Sequence, residues 1–379
     1  MRNRIIIFSI IFIIIAGIAL FYLTDKNKSR SINPGPNISD NPVYNKYEFN
    51  ESDKVIYLGT QPLYLPSGVI TETMKRDKLF TDELSSLAMK IHYYPFFKGN
   101  DVNIFIQRGK LDAGVGGDMP ALRLASIFKI IIPAMIQYGP VSIVTREPLL
   151  IKNLRRRRIG YAFGSNAHFA LLDILSSANL TTADLDLIPL EVTQMPEALH
   201  NKEIDAFCAW EPTPETAFQK YSYFADHKKM SSGFLYFTKH FADKNPEAVY
   251  LIIASQIRAI RWLKLDRTNL LYACKWAMDA GANLSGEKTI LTIKQYADLA
   301  QKDILGRHSV SSYHIPEDSL ADSGNLYKEF IFLKQISRIS SDSKWNLVYD
   351  SFDTDMLTEI IQNPGKYRLN EFDYIIETP

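Results

Sequence analysis

Residues that could contact a small solute lie in four short segments of the sequence, each directly after a predicted strand. In open α/β sheets, ligands bind outside the carboxyl ends of the strands, where the first turns of helices offer free N–H groups. The first segment supplies Gln61, whose amide could hydrogen-bond a ligand, and Tyr64, whose ring could pack against one. Both residues would fit equally well in a plain turn between a strand and a helix.

The second segment contains two adjacent glycines, Gly116 and Gly117, followed by Asp118. Glycine has no side chain, so the backbone can approach a ligand closely at these positions. Asp118 precedes Pro120, and the two residues together are typical of the start of a helix. The sequence therefore leaves two roles open for Asp118: a helix cap, or an acceptor for the amine or hydroxyl of a ligand.

The third segment, Gly164-Ser165-Asn166-Ala167-His168, lies between a predicted strand and a predicted helix. Ser165 or Asn166 is a good N-cap, and the N–H groups that follow would attract an anion. His168 could donate a hydrogen bond to that anion, or it could be a structural or surface residue. This segment predicts an anion site.

The fourth segment ends a predicted strand with Trp210, which offers an apolar face, and Glu211, which offers a carboxylate. Cys208 lies in the predicted strand, two residues before Trp210, and fits a small buried apolar position. Only one other cysteine, Cys274, is present, so a disulfide framework and a thiolate zinc cluster are excluded, while one disulfide stays possible. We predict no metal and no cofactor.

Motifs and charge exclude several classes of function. The sequence has no Gly-x-Ser-x-Gly, His-Glu-x-x-His or phosphate-loop motif, so we predict that the protein is not an enzyme.

The 379 residues include 43 Lys and Arg against 42 Asp and Glu, a net charge of +1. Bulk charge therefore does not favour nucleic-acid binding. Hydrophobic residues make up 46% of the chain, enough for a folded core.

The elements that must position these residues are short strands alternating with helices. This alternation predicts parallel sheets in α/β layers, and the last third of the chain, after about residue 239, predicts helices with a structural role. Predicted strands are Val55–Gly59, Ala88–Tyr94, 109–115, Ile130–Ile136, Val141–Thr145, Arg158–Ala162, Leu185–Leu190 and Asp205–Ala209. Predicted helices are Thr71–Lys78, Asp101–Arg108, Met119–Ala125, Ala167–Ala178, Met195–His200, Pro246–Lys264, Leu270–Ala280, Thr289–Gln301 and Tyr327–Ile336.

The first residues predict a location outside the cytoplasm. Ile5–Leu23 contains no charged residue and approaches the roughly 20 residues of a membrane-spanning helix, behind a basic start that should stay in the cytoplasm. A cleaved signal peptide with Gly17 and Ala19 at its cleavage site is the alternative. We favour a retained anchor, because Leu20–Leu23 continues the apolar run. Residues 24–52 are rich in Lys, Asn, Ser, Asp and Pro and predict a flexible linker.

The segments in their order resemble the extracytoplasmic solute-binding proteins of ABC importers for nitrate, sulfonates and taurine, a group that also includes thiamine-precursor-binding proteins. The likeness runs from about Val55 to Leu263. The residues that carry it are 108–113 leading into 117–121, 158–161 with Gly164, Ser165 and His168, 195–199 leading to 203–207 and 210–212, and 245–248 leading to 259–263.

The resemblance implies a type 2 periplasmic-binding-protein fold, in which two α/β lobes enclose a ligand cleft. Lobe one would comprise residues 53–147 and 232–379, and lobe two residues 148–231. The ligand-binding residues implied by this likeness, together with the segment analysis, are Gln61, Tyr64, Gly117, Asp118, Met119, Ser165, Asn166, His168, Trp210 and Glu211. The implied partners are a small-molecule ligand and the permease and ATPase subunits of an importer, at the periplasmic side of the inner membrane or in the periplasm.

Two departures from the family keep alternatives open. A retained helix at 5–23 would also suit a membrane-tethered ligand sensor. Four consecutive arginines, Arg155–Arg158, replace a milder stretch of the family, and they predict a solvated edge or a contact with anionic lipid or a partner. The solute itself stays open between an anion, a zwitterion such as taurine, and a thiamine-precursor pyrimidine stacked on Trp210 or Tyr64.

Overall fold

A computed structural model describes residues 38, 41–50, 52–305 and 313–376. The chain divides into two compact units, residues 1–48 and 49–379. In the first unit, Tyr44–Lys46 forms a short 3-10 helix. The predicted anchor at 5–23 lies outside the described residues, as does most of the predicted linker. Within the described ranges, no helix combines the length and the apolar character needed to cross a bilayer.

The second unit is a mixed α/β fold built on one eight-stranded sheet. Its strand order is β2-β1-β3-β8-β4-β7-β5-β6. The strands are β1 (Val55–Thr60), β2 (Lys90–Pro95), β3 (Ala113–Gly117), β4 (Ile130–Thr145), β5 (Arg158–Tyr161), β6 (Asp186–Pro189), β7 (Ala206–Trp210) and β8 (Phe224–Thr238). β1 pairs in parallel with β2 and β3, and β5 pairs in parallel with β6 and β7.

The prediction of purely parallel sheets is wrong at the centre of the sheet. β4 and β8 pair antiparallel along their lengths, β3 pairs antiparallel with β8, and β7 pairs antiparallel with β4. The two long strands, β4 and β8, join a first half of the sheet (β1–β3) to a second half (β5–β7). Each half keeps the parallel pairing that strand–helix alternation predicts.

Fifteen helices surround this sheet in the described part of the unit. They are α1 (Ser67–Met74), α2 (Lys78–Ser86), α3 (Gly99–Gln107), α4 (Asp118–Ala125), α5 (Asn166–Ser176), α6 (Met195–His200), α7 (Thr213–Tyr221), α8 (Lys239–Lys244), α9 (Pro246–Leu265), α10 (Arg267–Ser285), α11 (Ile293–Leu305), α12 (Glu317–Leu320), α13 (Asn325–Gln335), α14 (Trp345–Tyr349) and α15 (Asp355–Gln362).

Register along the two central strands explains why the loops of the two halves face each other. β3 runs toward the second half and ends at Gly117, opposite Gly233 of β8, which in turn lies opposite Gln137 of β4. β7 runs toward the first half and ends at Trp210, opposite Val141 of β4. The two strand ends therefore approach the middle of β4 from opposite directions. Gln137 and Val141 are four positions apart along β4, about 13 Å at the rise of a strand.

Three predicted elements differ from the structure. The two predicted runs at Ile130–Ile136 and Val141–Thr145 form one strand, β4, and the whole of β8 was not predicted. A single helix over Thr71–Lys78 is wrong, because the chain turns there. Asp77 caps a new helix, α2, by accepting a hydrogen bond from Phe80 N at 3.1 Å.

A buried ion pair fixes helix α9 in the first half. The Arg258 guanidinium is 0% exposed and donates from Nε to Asp77 Oδ2 at 2.9 Å, with Asp77 1% exposed. Nη2 of Arg258 donates to Glu83 Oε2 at 2.9 Å, and Nη1 donates to Tyr367 O at 3.0 Å. Ser255 Oγ adds a hydrogen bond to Asp77 Oδ2 at 3.0 Å. Because every donor atom of this charge has an acceptor, the guanidinium can be buried.

Candidate functional site

The loop after β1 meets the loop after β7. The rings of Tyr64 and Trp210 form an edge-on contact with centroids 5.2 Å apart, and Leu65 N donates to Glu211 O at 3.4 Å. The Tyr64 hydroxyl donates to Phe97 O, and burial raises the pKa of that hydroxyl. The structure thus brings the first and fourth predicted segments together, one from each half of the sheet.

Gln61 is buried, and its amide links elements of the first half. In the orientation that satisfies both of its polar atoms, Nε2 donates to Val115 O at 3.2 Å and Oε1 accepts from Gly99 N at 2.8 Å. Gly99 is the first residue of α3, so Gln61 occupies an N–H group at a helix start. A ligand would have to replace one of these bonds to contact the amide.

Asp118 starts α4 and is 1% exposed. Its Oδ1 accepts from Met119 N at 2.8 Å, and its Oδ2 accepts from Ser231 Oγ and Ser232 N, both at 2.9 Å. Burial raises the pKa of this carboxyl to about 6, although these hydrogen bonds oppose the rise. The predicted role of Asp118 as the helix cap is wrong, because Gly117 occupies the N-cap position and Asp118 is the first residue of the helix itself. Its role as an acceptor for a ligand stays a prediction.

A chain of hydrogen bonds joins the second and third segments. Asn166 Nδ2 donates to Ser231 Oγ at 2.6 Å, and Ser231 Oγ donates in turn to Asp118 Oδ2. A Cβ atom added at Gly117 would lie 3.4 Å from Asn166 Nδ2, so the glycine admits this approach. Ser231 belongs to β8, which was not predicted. The α4 and α5 starts therefore meet through the central strand.

The predicted anion site at the start of α5 is already hydrogen-bonded by its own side chains. Ser165 Oγ accepts from His168 N at 3.3 Å, and Asn166 Oδ1 accepts from Ala167 N at 2.9 Å. An anion would have to displace these caps to reach the N–H groups. Binding at Ser165 and Asn166 stays a prediction.

His168 is 3% exposed and surrounded by aromatic rings. The centroids of Tyr161, Phe163 and Phe332 lie 4.5, 5.3 and 5.1 Å from its own. Gly164 N donates to its Nδ1 at 3.3 Å, which leaves the proton of a neutral imidazole on Nε2. Burial, with a smaller contribution from the Arg338 charge, lowers the pKa of His168 to about 4. At neutral pH the ring is an uncharged donor.

Glu211 is a partly buried carboxyl beside Trp210. Its Oε2 accepts from Glu215 N at 3.2 Å, in the first turn of α7. Burial raises the pKa of Glu211 to about 7, while the charges of Lys228 and Lys302 oppose the rise. Near neutral pH this group can either donate or accept a hydrogen bond from a solute.

Residues of helix α13 also reach this cluster of loops, and sequence reasoning missed them. Glu329 is 3% exposed, and its carboxyl faces that of Asp118, while Phe332 packs on His168 and Phe169. The sequence predicts the helix itself but contains no signal for the surface against which it packs. Across the described residues, no group of three or more His, Cys, Asp or Glu could hold a metal ion.

Residues 105–278 match the model of the NMT1-like family. This segment runs from α3 to α10 and contains six of the ten predicted site residues from Met119 onward, together with Gly117 and Asp118. No curated protein matches the sequence of the chain.

Solved structures share the fold at low sequence identity. A protein of Methylobacillus flagellatus described as a periplasmic sulfonate-binding protein is 15% identical, with a TM-score of 0.64 over 86% of this chain and 98% of its own. The periplasmic nitrate-binding protein of Synechocystis is 12% identical, with a TM-score of 0.61 over 84% and 92%. These structures confirm the resemblance to solute-binding proteins in fold.

The same fold also occurs in an enzyme. DszB, a desulfinase solved as a mutant in complex with biphenyl-2-sulfinic acid, is 13% identical to this chain. Its TM-score is 0.56 over 82% of this chain and 99% of its own. The fold alone therefore does not separate binding from catalysis.

Proposed function

We propose that the protein binds a small anionic or zwitterionic solute outside the cytoplasm and delivers it to an ABC importer. The observation that carries this proposal is the meeting of four loops at the carboxyl ends of β1, β3, β5 and β7, from both halves of the sheet. Two of the proteins of this fold named above, from Methylobacillus flagellatus and Synechocystis, are described as sulfonate-binding and nitrate-binding. A solute enclosed there would touch residues of both halves at once.

The proposal includes the finer organisation predicted from the sequence. Residues 53–147 with 232–379 would form one lobe and residues 148–231 the other, with β4 and β8 as the connections between them. Residues 5–23 would anchor the protein at the periplasmic side of the inner membrane. A permease and an ATPase would be the partners, and the solute would be released unchanged.

The charges at the loops favour a solute that carries hydrogen-bond donors as well as an anionic group. Asp118 and Glu211 are carboxyls with raised pKa values, and His168 is neutral. A zwitterion could place its amine at a carboxyl and its anionic group near Ser165. A pyrimidine is the second candidate, because the Tyr64–Trp210 contact offers an aromatic surface beside the Glu211 carboxyl.

A thermal-shift screen of the full chain tests the proposal. The probes are methanesulfonate, taurine, 1-propanesulfonate, nitrate, bicarbonate and an aminopyrimidine. A true ligand at 100 times its Kd should stabilise the protein by about 2.7 kcal/mol. Trp210→Ala should abolish that shift, whereas Phe218→Ala, at an exposed ring on α7, should leave it intact. Consumption of the probe over time would instead indicate an enzyme.

A further inference from the structure

Helix α13 contacts both halves of the sheet at the candidate site. On the side of the first half, the buried Glu329 carboxyl faces the buried Asp118 carboxyl at the start of α4. On the side of the second half, the Phe332 ring lies 5.1 Å from His168 and 5.4 Å from Phe169 on α5. One face of a single helix therefore bridges the two helix starts that the β3 and β5 loops supply.

The chain just after α13 continues the bridge. The Arg338 guanidinium lies over the Phe163 ring, 5.5 Å from its centroid, in the loop between β5 and α5. The main-chain oxygen of Arg338 accepts from Arg123 Nε on α4 at 3.3 Å. A Cβ atom added at Gly164 would lie 3.2 Å from Arg338 Nε, so the loop and the arginine are in close contact.

These contacts involve two residues that a solute would need. Asp118 and His168 are predicted ligand-binding residues, and α13 covers both. We propose that α13 is an autoinhibitory latch, which holds the two halves together and has to move before a solute can reach Asp118 and His168. The competition with solute rests on the proposed function, whereas the bridging of the two halves does not.

A shared proton makes the latch sensitive to pH. Two carboxylates are both acceptors, so Asp118 and Glu329 can share a hydrogen bond only when one of them holds a proton. Burial and the neighbouring Asp118 charge raise the pKa of Glu329, and Glu329 Oε2 is buried with no hydrogen-bond partner. When the pair loses its proton, two like charges face each other in a buried site and repel.

The other charged groups facing the pair come from neighbouring elements. Lys229 of β8 opposes the rise in the pKa of Glu329, and Asp173 of α5 adds to it. Lys229 Nζ is itself paired with Asp173 Oδ2 at 2.5 Å, so its charge is largely committed. His168 is neutral, and Arg338 is directed to the Phe163 ring. The balance of charge at the pair therefore shifts toward repulsion as pH rises.

Hydrogen exchange of the solute-free full chain tests the bridge. In Phe332→Ala, amides of residues 161–169 and 116–121 should exchange about tenfold faster than in the wild type, because both helix starts lose their cover. Phe330→Ala is the matched control, since this buried ring on the same helix packs on Trp345 at 5.4 Å. Equal effects of the two variants on these amides would overturn the latch.

A pH series separates the latch from loss of packing. After correction for intrinsic rates, wild-type exchange at 161–169 should accelerate between about pH 5.5 and about pH 8. Glu329→Gln should remove that dependence, because an amide donates to the Asp118 carboxylate without a shared proton. Glu329→Gln keeps the shape of the side chain, so it still tests the proposal if Phe332→Ala does not fold. A pH dependence unchanged in Glu329→Gln would refute the proposal.

Binding of the best sulfonate probe from the thermal-shift panel gives the third readout. With a competing latch, Phe332→Ala should bind that probe at least about threefold more tightly, and Glu329→Gln more weakly, than the wild type. Weaker binding in Phe332→Ala would show that α13 is a wall of the site and would overturn the competition. If the wild type and all variants bind none of the probes, the proposed function fails, while the exchange data still decide the bridge.

Discussion

Replacing Asp77 with alanine should destabilise the protein more than any exposed acid would. The change leaves the Arg258 guanidinium, 0% exposed, without one of its two carboxylate partners, each of which lies at 2.9 Å. Removing one partner of a buried ion pair costs about 3–5 kcal/mol. The cap of α2, in which Phe80 N donates to Asp77 Oδ1, adds about 1 kcal/mol. The expected loss is therefore about 4–6 kcal/mol, a large part of the 5–15 kcal/mol typical of a domain.

Urea unfolding followed by far-UV circular dichroism measures this loss. Asp243→Ala is the control, because its ion pair with Lys239 has side chains 60% and 50% exposed and should contribute less than about 1 kcal/mol. Asp77→Asn keeps the size of the residue and its cap, and should fall between the two. If Asp77→Ala and Asp243→Ala cost the same, the buried pair does not hold α9 and α2 together as argued.

Three further changes test the site and its surroundings. Gly116→Ala would place a Cβ atom 2.8 Å from the Tyr236 hydroxyl. This overpacking should lower the free energy of unfolding, measured in urea, by about 1–3 kcal/mol. An unchanged free energy would mean that the Tyr236 ring moves aside. Tyr64→Phe removes the hydrogen bond to Phe97 O and should cost about 1 kcal/mol; a neutral result would contradict a role for that bond. The pKa of Glu211 is raised to about 7, so the folded protein favours the protonated carboxyl. The free energy of unfolding should therefore fall by up to about 3 kcal/mol as pH rises from about 4.5 through about 7. Glu211→Gln should flatten this loss in thermal unfolding across pH, and an unchanged slope would place the titration elsewhere.

The sequence predicts those elements best whose local signals agree. Helix α6 is found at Met195–His200 as predicted, with Pro196 in its first turn. β5 and β7 fall within one residue of prediction at their starts, because each is a short apolar run next to a turn. The sequence therefore places these short strands well, and this is why it can identify the loops after them as candidate ligand-binding segments.

Long-range pairing is what the sequence does not reveal. β8 begins at Phe224 and soon contains four consecutive polar residues, Asp226 to Lys229, which are typical of a loop. Pairing with β4 makes them part of a strand. Pro140 divides β4 into two predicted runs, yet the strand continues through it opposite Met230. The four loops meet because β4 and β8 pair. The family resemblance therefore predicts their meeting, whereas the residues of the loops themselves do not.

The candidate site shows the same limit. The sequence predicts that Ser165 and Asp118 face a ligand, whereas in the structure Ser165 is the N-cap of α5 and Asp118 is the first residue of α4. The contacts of Glu329 and Phe332 arise from a helix more than 100 residues away along the chain, and no local pattern marks them. Ligand binding by the ten predicted residues stays a prediction until a solute is found.

The pairing of Thr145 with Phe224 has a consequence for the order of folding. Residues 146–223, which contain β5, β6 and β7, connect two directly paired positions of β4 and β8, so these three strands can assemble on the end of β4 during synthesis. The first half has no such independence, because β8 lies between β3 and β4 and is made later. We expect β1–β3 to wait with one edge unpaired until about 238 residues have been translated, which makes that edge the part of the nascent chain most exposed to misassembly.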